Sequence, residues 1–270
     1  MRATAIRRTA VAACAVSLAL LATACGGSES DGGGEEKAKA DTTASAEPAS
    51  EVKTAAELEK LVLADGDVDG HKVEELGPGD STPAESVSAD KKECELLAYA
   101  QLGVPIGDPA ATVQRMVTQE PQKPAETGSQ SDGELTEEDL ENFENAMNSA
   151  LDVTATVVSL SSYEDGGARK AVADLRAAAE ACSGGFTGGV KGEEQKVIGV
   201  EEGKVTGGDE AFAWTVTAEA EGEPAPFKLA VVRKGGTLAT FSSFNMLGVG
   251  KGEDYEQPTE VIDAQAKKLG

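Results

Sequence analysis

From Thr54 onward, apolar residues recur first at helical spacing and later in alternation. Thr54-Ala55-Ala56-Glu57 sets a capping threonine ahead of Leu58, Leu61 and Val62, which predicts a short helix. A second helix is predicted over Ala89–Leu102, with Leu96, Leu97 and Ala100 facing inward and Cys94 beside them. Thr112, Val113, Met116 and Val117 give Ala111–Thr118 strand character. The Pro-, Gly-, Ser- and Gln-rich run Gln119–Gly133 reads as a loop. It leads into Thr136-Glu137-Glu138-Asp139, a capping box with Asp in place of Glu. The helix that follows sets Leu140, Phe143, Met147 and Leu151 at helical spacing.

β-branched residues then take over. Asp152–Leu160 reads as a strand, and Gly166–Cys182 as a helix with Ala171, Leu175, Ala178 and Cys182 on one stripe. Lys196–Val205, Ala211–Glu219 and Pro226–Arg233 read as strands. Lys234-Gly235-Gly236-Thr237 is a hairpin signal before a last strand, Leu238–Phe244, and Thr259–Leu269 is a closing helix. Helices first, then a meander of strands around one helix, predict a single α+β domain over residues 55–270. Its antiparallel sheet is expected to carry helices packed on one face.

Ahead of this domain, residues 25–54 are Gly, Ser, Glu, Ala and Thr with almost no bulky apolar side chain. Burial cannot offset ordering entropy there, so a disordered tether is expected. About 28 such residues reach roughly 30 Å. Residues 1–24 have the layout of an export signal: Arg2, Arg7 and Arg8, then an uncharged, mostly small and apolar run from Thr9 to Ala24. That run is shorter than the ~20 residues a spanning helix needs.

Leu20-Leu21-Ala22-Thr23-Ala24-Cys25 resembles the lipobox of bacterial lipoproteins, although Ala22 stands where leucine is more common. In that family the cysteine receives diacylglycerol, with acyl chains such as palmitate, and becomes the first residue of the mature chain. The resemblance implies lipidation at Cys25 and a chain held by lipid on the extracytoplasmic face of the cell membrane. An ordinary secretory signal with an incidental cysteine is the alternative. The Arg7-Arg8 pair lacks the bulky apolar residues that follow in twin-arginine signals.

Charge narrows the partners. The formal net charge is −24 at pH 7, and removal of the three signal arginines deepens it. Phosphate binding relies on Lys and Arg, so nucleic acid is excluded as a partner. Only 4% of residues are aromatic, so the core must be built from Ala, Val and Leu. Cys14 leaves with the signal and Cys25 takes lipid, which leaves Cys94 and Cys182 on the oxidising side of the membrane. A disulfide between them is expected, two reduced core cysteines being the alternative.

Chemistry-bearing motifs are few. Asp65-Gly66-Asp67-Val68-Asp69-Gly70 matches the start of an EF-hand loop, but Lys72 and Leu76 occupy the later apolar and bidentate positions. An acidic turn between a helix and a strand is the expected reading, and no metal or cofactor is expected. His71, the only histidine, sits in that turn. Ser50-Glu51-Val52-Lys53 lies in the tether, and no nucleophile or phosphate-loop fingerprint appears elsewhere, so no catalysis is expected. Phe212, Trp214 and Val216 alternate along one strand, as do Phe227, Leu229 and Val231, and then Ala239, Phe241 and Ser243. These bulky faces read as core beneath the helices, or as a concavity that holds a ligand through Phe212, Trp214 and Phe241.

Several stretches together resemble actinobacterial lipoproteins related to the extracytoplasmic sensor domain of receptor serine/threonine kinases. The early ones are Leu58–Leu63 running into Gly70–Val73, Glu93-Cys94 and Pro105–Ala110; the later ones are Leu160–Tyr163, Ala181–Phe186, Gly208–Ala211 and Val231–Gly235. The resemblance implies a sheet-and-helix cleft, a Cys94–Cys182 bridge and a structural role for the acidic turn. It leaves the loop and helix at about 119–148 as an insertion. The functional expectation is a membrane-anchored, non-catalytic domain that binds an unknown small ligand or cell-envelope component. A lipid or glycolipid carrier and a passive wall-interaction protein are the alternatives.

Overall fold

Strands that are apolar on both faces need cover on both sides, and the middle of this sheet receives it. The computed structural model describes residues 51–77, 79–121, 136–220, 222–252 and 254–270, which belong to one unit, Ala46–Gly270. The signal, Cys25, most of the tether and most of the Gln119–Gly133 loop lie outside the described residues. The described strands are β1 (His71–Glu75), β2 (Val87–Ala89), β3 (Ala111–Gln119), β4 (Thr154–Ser162), β5 (Phe186–Val190), β6 (Glu193–Gly203), β7 (Glu210–Ala220), β8 (Glu223–Lys234) and β9 (Thr237–Asn245). They form one antiparallel sheet in the order β1-β3-β4-β9-β8-β7-β6-β5-β2. Both edge strands are short, and β1 carries Lys72, Glu74 and Glu75, features that discourage edge-to-edge pairing. The Gly235-Gly236 turn closes the β8–β9 hairpin, with Lys234 paired to Thr237, as its sequence predicts.

Among the described residues, six α-helices accompany the sheet: α1 (Ala55–Leu58), α2 (Glu95–Gln101), α3 (Glu137–Leu151), α4 (Gly167–Ala181), α5 (Met246–Lys251) and α6 (Thr259–Leu269). Along β8, Leu229 and Val231 face α2 and α4, and Ala230 and Val232 face the opposite way, toward α6 and the segment after α1. The α+β class and the single antiparallel sheet are as expected. The helices, expected on one face, lie on both. The physical reason is the central strands themselves, whose Val, Leu and Ala residues leave two apolar faces rather than one.

Each layer is tied down by polar groups as well as by burial. The carbonyls at the end of α2 have no helical partner. Sheet side chains supply it: Ser242 donates to Gln101 O at 2.5 Å, and Ser159 and Gln114 donate to Gly103 O at 2.9 and 2.7 Å. On the other face the fully buried Gln265 of α6 accepts from Leu63 N at 3.1 Å and donates to Leu61 O at 2.9 Å. The predicted helix over Ala89–Leu102 begins late, because Val87–Ala89 pairs with β5 and the Asp90 carboxylate accepts from Thr187 N. Cys94 and Cys182 are joined, with Cα atoms 5.8 Å apart, and link the start of α2 to the end of α4. Among the described residues, no helix is long and apolar enough to cross a membrane.

Candidate functional site

On the α1/α6 face the strands change character toward one end. Reading every second residue, β9 runs Phe241, Ser243, Asn245, and β4 runs Val158, Thr156, Thr154. β3 passes from Val117 to Gln119, and β1 from Val73 to His71. These changes coincide in register: His71 pairs with Gln119, Thr154 with Asn245, and Thr156 with Ser243. A face that is apolar under α6 therefore becomes polar beyond it, and a cleft of about 410 Å³ opens there. Asp152 and Ser149 at the end of α3, and Tyr255–Val261 leading into α6, complete its walls.

The polar groups of this cleft are held in place from behind. Asn245 is buried, donates to Asp152 Oδ1 at 2.9 Å and to Thr154 Oγ1 at 3.3 Å, and accepts from Gly248 N as the cap of α5. Gln119 Oε1 accepts from Thr154 N at 3.4 Å. His71 Nδ1 donates to Asp69 O at 2.9 Å, which fixes the ring's orientation. Tyr255 donates its hydroxyl to Ser243 O at 2.5 Å and accepts from Lys228 N at 3.2 Å. Burial pushes the Tyr255 hydroxyl well above the usual tyrosine range, so it stays protonated and fixed as a donor. Lys228 Nζ, itself buried, donates to Asp254 at 2.7 Å and Thr215 at 3.0 Å. Gln257 donates to Trp214 O at 3.3 Å. The strap that walls the cleft is thus pinned across β7, β8 and β9.

The cleft has an acidic lining. Asp152, Glu256 and Glu260 line it, and no Lys or Arg among the described residues does. Such a lining hydrogen-bonds hydroxyl and amine groups and repels phosphates and carboxylates.

A second, larger groove of about 600 Å³ lies on the other face, between α4 and β6–β7. Trp214 and Val200 line it, with Arg176, Glu180 and Glu202 around them. Phe212 packs against Trp214 with ring centroids 6.3 Å apart, and the Arg176 guanidinium covers Phe212 at 4.1 Å. Phe241 does not join them. It is paired with Ala230 and Val158 and is buried on the α1/α6 face. One concavity built from Phe212, Trp214 and Phe241 is therefore not formed, because Phe241 stands on the opposite side of the sheet.

The other expected sites fall as follows. Asp67 of the acidic turn accepts from Ala64 N at 2.7 Å and pairs with Lys268 of α6, and Asp65 accepts from Val73 N. These carboxylates hold the turn to the sheet and to α6. Among the described residues no group of His, Cys, Asp and Glu is arranged to hold a metal ion. Cys25 lies outside the described residues. Asn245, Asp152 and Tyr255 carried no signal in the sequence; His71 was singled out only as a lone histidine.

No protein-family model and no curated protein matches the chain. Among solved structures it is similar to the extracellular domain of PknH from Mycobacterium tuberculosis, at 13% identity and a TM-score of 0.45, over 81% of this chain and 96% of that one. It is also similar to an uncharacterized protein from Mycobacterium smegmatis, the Rv0999 ortholog, at 10% identity and a TM-score of 0.32. That match covers 74% of this chain and 90% of that one.

Proposed function

We propose that this chain is a lipid-anchored, extracytoplasmic, non-catalytic binding domain whose ligand is a small hydroxylated or amine-bearing molecule held in the polar cleft. The observation that carries the reading is the convergence of His71, Gln119, Asp152, Thr154 and Tyr255 on one cleft, supported from behind by Asn245, Ser243 and Lys228. Side chains fixed in this way are pre-organised, which lowers the entropy cost of binding. The same fixation supports a binding role over a catalytic one: Asn245 and Tyr255 spend their hydrogen bonds on position. The export signal, the lipobox-like run at Cys25 and the disulfide support placement outside the cytoplasm. The carrier alternative draws no support from the cleft, whose lining is mainly polar.

Thermal unfolding in the presence of spermidine, glucosamine and citrate tests the proposal. Spermidine or glucosamine should raise Tm and citrate should not, and Asp152→Ala with His71→Ala should abolish the shift. No shift with either positive probe, or a shift that survives the double substitution, would overturn it.

A further inference from the structure

Helix α3 carries an apolar stripe that the described residues leave exposed. Leu140, Phe143, Met147 and Leu151 are 51%, 61%, 46% and 38% exposed, and no side chain of α3 is buried. The helix is nevertheless well begun, since Thr136 Oγ1 accepts from Asp139 N at 3.2 Å and Asp139 accepts from Thr136 N at 2.9 Å. Beyond its end, Met246 is also 53% exposed, and its N–H donates to Val153 O at 3.1 Å. Scattered single apolar residues on a surface are ordinary, but four on one helical stripe mark an interaction surface.

Charge decides what covers it. Glu137, Glu138, Asp139, Glu141 and Glu144 lie on α3, and the helix has no Lys or Arg. Glu137, Glu141 and Glu144 run parallel to the stripe at helical spacing along one flank. A second copy of α3 would bring two acidic flanks together, and an anionic bilayer would meet the same repulsion. Residues 122–135 offer only Pro124, Ala125 and Leu135 as apolar cover, and the tether has almost none. We infer that the exposed stripe of α3 is the docking site for an amphipathic helix of another protein, one with an apolar face flanked by Lys or Arg. Its apolar side chains would lie on Phe143 and Met147, and its cations would meet Glu141 and Glu144. This inference stands apart from the ligand proposed for the cleft.

The test uses the full exported chain with Cys25→Ser and a synthetic Leu/Lys amphipathic peptide matched in length to α3. Titration calorimetry should show binding, weakened at least about tenfold, equivalent to ~1.4 kcal/mol, by Phe143→Ser with Met147→Ser, and likewise by Glu141→Lys with Glu144→Lys. Because α3 buries no side chain, both variants should unfold at the wild-type temperature, which separates lost docking from lost folding. Four outcomes would overturn the inference. They are no binding; equal binding of a Ser/Lys peptide; a dimer in sedimentation that Phe143→Ser with Met147→Ser abolishes; or stripe-dependent binding to phosphatidylglycerol vesicles.

Discussion

At the residue scale, the buried cations are the positions where one side chain decides most. Arg233 is buried and donates to Glu210 at 3.2 Å, to Asp209 at 3.3 Å and to Gly235 O at 2.9 Å. Asp209 in turn accepts from Gly235 N at 2.8 Å. That backbone N–H, with Lys234 and Arg233 nearby, holds the Asp209 carboxyl below its ordinary range. A folded-state value below the unfolded one stabilises the protein fully above the unfolded aspartate value, near ~3.9. The contribution fades as pH falls through the folded value. Asp209→Asn keeps the backbone acceptor and removes the charge. It should lower stability at neutral pH by about 1–3 kcal/mol and make the loss of stability in acid shallower. Urea titrations at neutral and acidic pH check this; a variant with the wild-type acid slope would refute it. The same scale explains Gly185, whose φ is +93° and where a Cβ would lie 2.3 Å from Val197 O. Only glycine turns the chain from α4 into β5 there.

At the element scale, the disulfide joins the two helices that cover one face of the sheet. Cys94 precedes α2 and Cys182 follows α4, 88 residues apart in sequence, and both sit in the core of that layer. Closing so long a loop limits the unfolded chain, with an upper contribution of about 4–5 kcal/mol. That is a large share of the roughly 5–15 kcal/mol of a whole domain. Reduction, or Cys94→Ala with Cys182→Ala, should lower Tm clearly and raise protease sensitivity first around α2 and α4. Hydrogen exchange on the oxidised and reduced protein locates the change. Equal protection of both helices in the two forms would contradict the assignment.

At the scale of the whole molecule, helices cover both faces of the sheet, and the polar cleft and the exposed apolar stripe of α3 are the surfaces for which roles are proposed. The chain's attachment is a separate matter and rests on the proposed lipid at Cys25. Cys25→Ser should move the protein from the detergent phase to the aqueous phase in phase partitioning, while its Tm stays unchanged. A variant that stays with membranes as fully as wild type would show that something other than lipid holds it.

The sequence alone determined the strands β3, β4 and β6 to β9, the helices α3, α4 and α6, the two-glycine hairpin and the choice of cysteine partners. Each of these follows from local periodicity, capping residues, or the compartment that an export signal implies. Local pattern was misleading where pairing outweighed it, as at Ala89, the start of the expected helix, which β5 draws into the sheet. It was silent on β5 and α5, whose Gly-rich sequences Phe186–Val190 and Met246–Lys251 carry little propensity. Alternation told which residues of a strand share a face, yet it could not tell which faces of neighbouring strands coincide. Phe241 and Trp214 therefore looked like companions in sequence and stand on opposite sides of the sheet. The cleft belongs wholly to tertiary structure: His71, Gln119, Thr154, Asn245 and Tyr255 come from five separate segments. Strand register and a pinned strap bring them together, and neither leaves a mark in any one stretch of chain.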